Sequence, residues 1–157
     1  WASNNEQSRA IVQHALRGLV KAGDERALAL LGYAPADDLR VVRFDISPKR
    51  LKLGILNSDA SPCPTACRLM AELTNAGRTA CPVLLDYRVI SPGRSGRDTQ
   101  KVWKWTSGEL KPASDETFDK THRFRATTTR AIMPGNHRFE LMVNGQVLAR
   151  ETVVLSD

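Results

Sequence analysis

Cysteine is scarce in this chain, and the common catalytic signatures are missing from it. The three cysteines, Cys63, Cys67 and Cys81, are an odd number, so a closed disulfide framework would leave a thiol over. Cys63-Pro-Thr-Ala-Cys67 has the spacing of half a metal site, but no second Cys/His pair follows at finger-like distance. No metal is expected, and the three side chains read as loop or core thiols in a reducing, cytoplasmic setting. No apolar run approaches the roughly 20 residues that span a bilayer, so no membrane partner is expected. The opening WASNNEQSR has neither a basic n-region nor an apolar h-region and does not read as a signal peptide. Phosphate-cradling GxxxxGK[ST], dinucleotide-binding GxGxxG, the GxSxG elbow and HExxH are all absent.

What the chain does have is positive charge, unevenly placed. It carries 23 Lys/Arg against 17 Asp/Glu, a formal net charge of +6. From Tyr87 to Arg138 there are eleven Lys/Arg and five Asp/Glu, whereas the remainder holds twelve of each. The whole surplus thus falls on one half of the molecule, where a polyanion could find it. The alternative is a solvated surface that keeps the protein soluble.

Hydrophobic spacing divides the 157 residues in two. Over residues 6–31, Ile11, Ala15 and Leu19 form one helical row and Val12, Leu16 and Val20 the adjacent one. Gly23 is placed to end this first helix in a left-handed conformation, and Asp24 to cap a second over Glu25–Leu31 that stops at Gly32. An αα-hairpin over residues 1–33 follows, oily on more of its surface than one neighbour needs. It reads as the last unit of a helical stack whose earlier repeats are absent, which, with the missing initiator Met, points to an excised piece of a longer protein. The hairpin could also pack on the module that follows; the two readings are compatible.

Beyond Leu39 the period changes from 3.6 to 2, and residues 39–157 read as a second unit. Strands are predicted around Val42/Phe44/Ile46, Leu51/Leu53/Ile55, Leu69/Ala71/Leu73, Leu85/Tyr87/Val89, Gln100–Trp105, Thr117–Phe124 and Phe139/Leu141/Val143. Asn144-Gly145 is the two-residue turn of a type I′ hairpin, which returns Gln146–Leu155 as an eighth. Asn57–Ala66, with Pro62 and Pro64, breaks the rhythm and reads as a surface loop. Seven or eight short strands with turn chemistry between them predict a mainly β fold, an Ig-like antiparallel sandwich preceded by the helical hairpin.

Candidate chemistry is basic and aromatic. In Lys101-Val102-Trp103-Lys104-Trp105, Lys101, Trp103 and Trp105 share one strand face; the tryptophans are expected to fill the core, base stacking being the alternative, and Lys104 could serve as a phosphate contact. His122-Arg123-Phe124-Arg125-Ala126-Thr127-Thr128-Thr129-Arg130 puts arginine forks beside hydroxyls and loop N–H groups, a set suited to phosphate oxygens or to a structured crossover loop. His122 and His137 are expected to be hydrogen-bonded structural residues, and His14 a surface or inter-helix one. Asp115, Glu116 and Asp119 cluster near a turn, where carboxylates are normally solvated.

The KAG-D-x-x-ALALLG helix pair, KVWKW, the HRFRATTTR loop followed by PG, and NGQVLA give the chain a resemblance to the C-terminal part of HEAT-like-repeat alkylpurine DNA glycosylases, DNA alkylation repair proteins with an appended Ig-like domain. The resemblance covers nearly everything from Val12. It implies that preceding repeats would hold damaged DNA and supply the hydrolytic carboxylate, with no cofactor, while this chain is not itself an enzyme. It implies a supporting place on duplex DNA for Lys101, Lys104, Arg123, Arg125, Thr127, Thr128, Thr129 and Arg130. Ala131-Ile132-Met133 departs from the aromatic or basic residues expected after TTR, and Asn57–Ala66 is an insertion. The competing expectation is an Ig-like protein-interaction or scaffold-bracing domain without nucleic-acid contact.

Overall fold

A computed structural model describes residues 6–35, 37–53, 65–125 and 131–157. Its helices are α1 (Glu6–Ala15), α2 (Arg17–Ala22) and α3 (Glu25–Leu30). The first predicted helix is therefore interrupted at Leu16, although the hydrogen-bond ladder runs through the break, from Leu16 N–H to Val12 and from Val20 N–H to Leu16. Gly23 is left-handed with φ 76°, and the Asp24 carboxylate caps α3 by accepting from the Ala27 N–H at 2.9 Å.

Eight strands follow: β1 (Leu39–Ser47), β2 (Arg50–Lys52), β3 (Thr65–Asn75), β4 (Cys81–Ser91), β5 (Thr99–Leu110), β6 (Ser114–Phe124), β7 (Gly135–Val143) and β8 (Gln146–Ser156). They form a three-stranded sheet, β1-β3-β6, and a five-stranded sheet, β2-β8-β7-β4-β5. All pairings are antiparallel except β2 with β8. Thr65 and Ala66, assigned to a loop from sequence, begin β3; residues 57–64 and Ile55 lie outside the described residues.

Alternation explains the core. Leu69, Ala71 and Leu73 of β3 face Leu85, Tyr87 and Val89 of β4, with Phe139, Leu141 and Val143 of β7 behind, and all nine are buried. In β1 the expected row of Val42, Phe44 and Ile46 is broken. A bulge between Val41 and Arg43 adds one residue, so Val41 turns inward beside Phe44 and Ile46 while Val42 is exposed.

The helices lie against the β7–β8 turn. Asn144 and Gly145 both have positive φ, 48° and 82°, as a type I′ turn requires. The buried Asn144 amide accepts from the Leu84 N–H at 2.8 Å and donates to the carbonyls of Pro82 and Ala34, both at 3.0 Å. One side chain thus joins the turn, β4 and the segment leaving α3. Leu28 of α3 is buried here, and a Cβ on Gly145 would lie 2.3 Å from its Cδ1. Ile11 and Leu30, by contrast, are 69% and 73% exposed, and Val12 and Leu19 are exposed too.

Asp86 sits on the outer row of β4, opposite Met142 and Lys104, and is 8% exposed. Burial raises its carboxyl from 3.8 to about 6, against the pull of Lys104, the Trp105 N–H and Lys21.

Two stability measurements check this arrangement. Gly145→Ala forces a left-handed backbone and a clash with Leu28, and urea unfolding should show a loss of about 1–3 kcal/mol, whereas Gly108→Ala, where a Cβ meets nothing within 4 Å, should change little. For Asp86 the folded carboxyl binds its proton more tightly than the unfolded one, so the ionisation penalty is present above about pH 6 and fades toward pH 4. Asp86→Asn should accordingly stabilise the protein at pH 7, by at most about 3 kcal/mol, and give no such gain near pH 4; an equal effect at both pH values would refute this origin.

Candidate nucleic-acid interface

β5 and β6 are consecutive strands but lie at the edges of different sheets, so no backbone ladder closes the sandwich between them. Side chains close it at one end. The Trp105 indole N–H donates to the Asp119 carbonyl of β6 at 3.2 Å, and its ring meets Tyr87 edge-on at 6.0 Å. Beyond this bridge the sheets part around a cleft of about 610 Å³.

The cleft floor is aromatic. His122 lies edge-on to Tyr87, Trp103, Phe124 and Phe139, with ring centroids 4.8–5.7 Å away. Its Nδ1 is 3.1 Å from the Tyr87 hydroxyl. Burial lowers its pKa to about 4, helped by His137 and Lys101, so the ring is neutral at neutral pH. His137 is held by Ser91 Oγ at Nδ1 and by the Met133 carbonyl at Nε2, each at 2.9 Å. The carbonyl can only accept, so Nε2 carries the proton and Nδ1 accepts from Ser91. Burial lowers the His137 pKa as well. Both histidines have the hydrogen-bonded role expected of them. Cys67 is also in the core, where burial pushes its thiol up to about 12, and both it and Cys81 are free.

The two tryptophans separate. Trp105 is buried as expected, but Trp103 is 37% exposed and stands in the cleft wall. Register accounts for the difference. Trp103 pairs with Tyr87 on an edge strand where the opposing sheet has drawn away, and a bulge places Trp105 as the extra residue between Lys104 and Thr106. Lys101 Nζ sits 4.0 Å over the Trp103 ring, a cation–π contact.

The rim is cationic. Lys101, Lys104, Arg123 and Arg125, four of the predicted contacts, all border the cleft, and Lys120 joins them. None of the five is in an ion pair among the described residues, and no Asp or Glu lines the cavity. Thr127, Thr128, Thr129 and Arg130 lie outside the described residues. Lys120 escaped the sequence reading, although its place on the inward row of β6, opposite Leu69 and between Phe118 and His122, was a legible signal: a lysine where alternation demands an apolar residue. Two other cations of the basic half, Arg88 and Arg138, are neutralised locally. Arg88 and Arg150 grip Glu140, whose carboxyl, despite burial, they hold below its usual range, and Arg138 bonds Asp98 at 2.9 Å. The carboxylates of Asp115, Glu116 and Asp119 are exposed, and Asp119 pairs with Arg68 at 2.8 Å.

Among the described residues no His/Cys/Asp/Glu group could hold a metal ion, and no helix is long and apolar enough to cross a membrane.

Comparison with known proteins places this geometry in a lineage. A protein of Bacillus subtilis (strain 168) described as "Uncharacterized protein YhaZ" is 26% identical over 154 residues, covering 94% of this chain and 38% of that protein. The solved structure of the Pseudomonas fluorescens alkylpurine DNA glycosylase AlkC, bound to DNA containing an abasic site analog, superposes over 100% of this chain and 41% of its own, with TM-score 0.87 and 25% identity. The chain therefore spans about two fifths of each relative. A β-glucosidase from Listeria innocua, at 14% identity and TM-score 0.57 over 80% of this chain and 17% of its own, shares the fold alone. The profile of the family described as "Uncharacterised protein YhaZ, C-terminal Ig-like domain" matches residues 41–157, and the chain belongs to that family.

Proposed function

We propose that this chain is a non-catalytic DNA-binding accessory module of a DNA alkylation repair glycosylase, acting in the cytoplasm. Excision of N-alkylated purines would be the work of helical repeats that precede it, without a metal or other cofactor. The observation that carries the reading is the gathering of Lys101, Lys104, Lys120, Arg123 and Arg125, none in an ion pair among the described residues, around one cleft. The likeness of the whole chain to part of a glycosylase solved on DNA supports it.

Mechanistically the five cations neutralise backbone phosphates and release condensed counterions, adding affinity that is independent of sequence and steeply dependent on salt. Arg123 and Arg125 can bond phosphate oxygens through two N–H groups at once, whereas the lysines act as point charges. Thr127, Thr128, Thr129 and Arg130 extend the proposed interface along the chain. The exposed apolar side chains Ile11, Val12, Leu19 and Leu30 support a bracing role as well: as the terminal hairpin of a helical stack, residues 1–33 would bury them against the preceding repeat and fix the sandwich, residues 39–157, beside it. Bracing and DNA binding use different faces and can coexist.

The test is a salt titration. The chain should bind duplex DNA weakly, with log K falling linearly in log salt. Lys104, Arg123 and Arg125 changed together to Ala should flatten that slope by roughly 0.9 for each phosphate that is no longer neutralised. An unchanged slope counts against the assignment, and release of methylated purine by the chain alone would overturn the non-catalytic part.

A further inference from the structure

The cleft is more than a charged surface, because its chemistry is divided between rim and floor. Two of its lysines lie on rows that alternation reserves for the core: Lys101 opposite Val89, and Lys120 opposite Leu69. An ammonium in such a position is destabilising unless water or an anion reaches it. Water reaches both, since Lys101 is exposed and Lys120 half-buried, so the cleft presents these ammonium groups to whatever enters it. The wall also offers Trp103, 37% exposed with the Lys101 ammonium 4.0 Å over its ring, and the apolar surfaces of Pro92, Ile132 and Met133. His122 is neutral and engages Tyr87 through Nδ1, leaving Nε2 with no protein partner among the described residues and, since none of their buried polar side-chain atoms is left unsatisfied, open to the cavity.

We propose that this cleft receives one unpaired nucleotide, its base stacked on Trp103 in the place of the Lys101 ammonium, with an edge toward His122 Nε2, and its phosphate held by the displaced Lys101 together with Lys120 and Arg123. A cavity of about 610 Å³ has the size of a small-molecule site and admits a single nucleotide, not a duplex. A flat π-surface beside cations is the arrangement by which proteins bind single-stranded nucleic acid without reading sequence. Simple anions would use the lysines but gain nothing from Trp103. The inference rests on nucleic acid being the ligand of this face, and it adds that an extrahelical or single-stranded nucleotide is preferred to a paired one.

The experiment compares the 157-residue chain on two DNA duplexes, one fully paired and one with a single-nucleotide bulge, and follows indole N–H signals by NMR, the Trp103 signal being assigned by its loss in Trp103→Phe. The bulged duplex should bind about tenfold more tightly, a factor within the roughly 1–3 kcal/mol of one stacked base. Adenosine 5′-monophosphate should shift the Trp103 indole where inorganic phosphate alone does not. Trp103→Ala should abolish the tenfold preference, the two duplexes then binding equally; Lys120→Gln should weaken nucleotide binding with Trp103 in place. Equal binding of the two duplexes with an unmoved Trp103 signal overturns the nucleotide pocket and leaves the accessory function standing. Shifts from phosphate as large as those from the nucleotide reduce the cleft to a plain anion site and also overturn it. Binding to neither duplex overturns the function proposed above.

Discussion

The separation of the two sheets on the β5–β6 side is set by a wedge of rings. Tyr87 stacks on Phe139, with planes 15° apart and centroids at 6.2 Å, while Trp105 and His122 meet Tyr87 nearly at right angles. Aliphatic side chains alone could let the sheets collapse to the usual sandwich spacing of about 10 Å. Four large rings, in three edge-to-face contacts and one stacked pair, resist such compression, because interiors are close-packed and ring geometry is stiff. The wedge therefore does two things at once: it completes the core on one side and holds the cleft open on the other. His122 is an unfavourable member, since it must stay neutral, and the Tyr87 hydroxyl offsets part of that penalty.

Electrostatics distinguish two groups of cations in the sandwich. Arg88, Arg150 and Arg138 are consumed by Glu140 and Asp98, and behave as cross-strand fasteners on the outer face. The five cations around the cleft have no such partners among the described residues. A net charge counted along the sequence cannot make this distinction, because it is decided by which carboxylates the fold brings beside each cation. Five like charges around one cavity repel each other and focus a positive potential outward, an arrangement suited to attracting phosphate rather than to stability.

The fold was largely legible because alternation and turn chemistry agree. The inward rows of β3, β4 and β7, the Asn144-Gly145 turn, the Gly23 stop and the Asp24 cap all follow from local rules. What escaped was governed by bulges and edges. One extra residue near Val42 reverses which valine of β1 faces inward, and an extra residue at Trp105 sits within a pair of tryptophans that seemed equivalent. Nothing in KVWKW says that β5 is an edge strand, and it is the edge that leaves Trp103 half in solvent. The cleft itself arises from the divergence of two sheets, a long-range property; Lys101 and Lys120, charges out of step with their rows, are its local signs.

Asn144 has a mechanical consequence. Its amide clasps the exit from α3 and the first residues of β4, and β4 continues within a few residues to Tyr87 and Val89 in the cleft wall. One strand thus runs from the amide that ties down the helices to the wall of the cleft, and the two features share a single anchor.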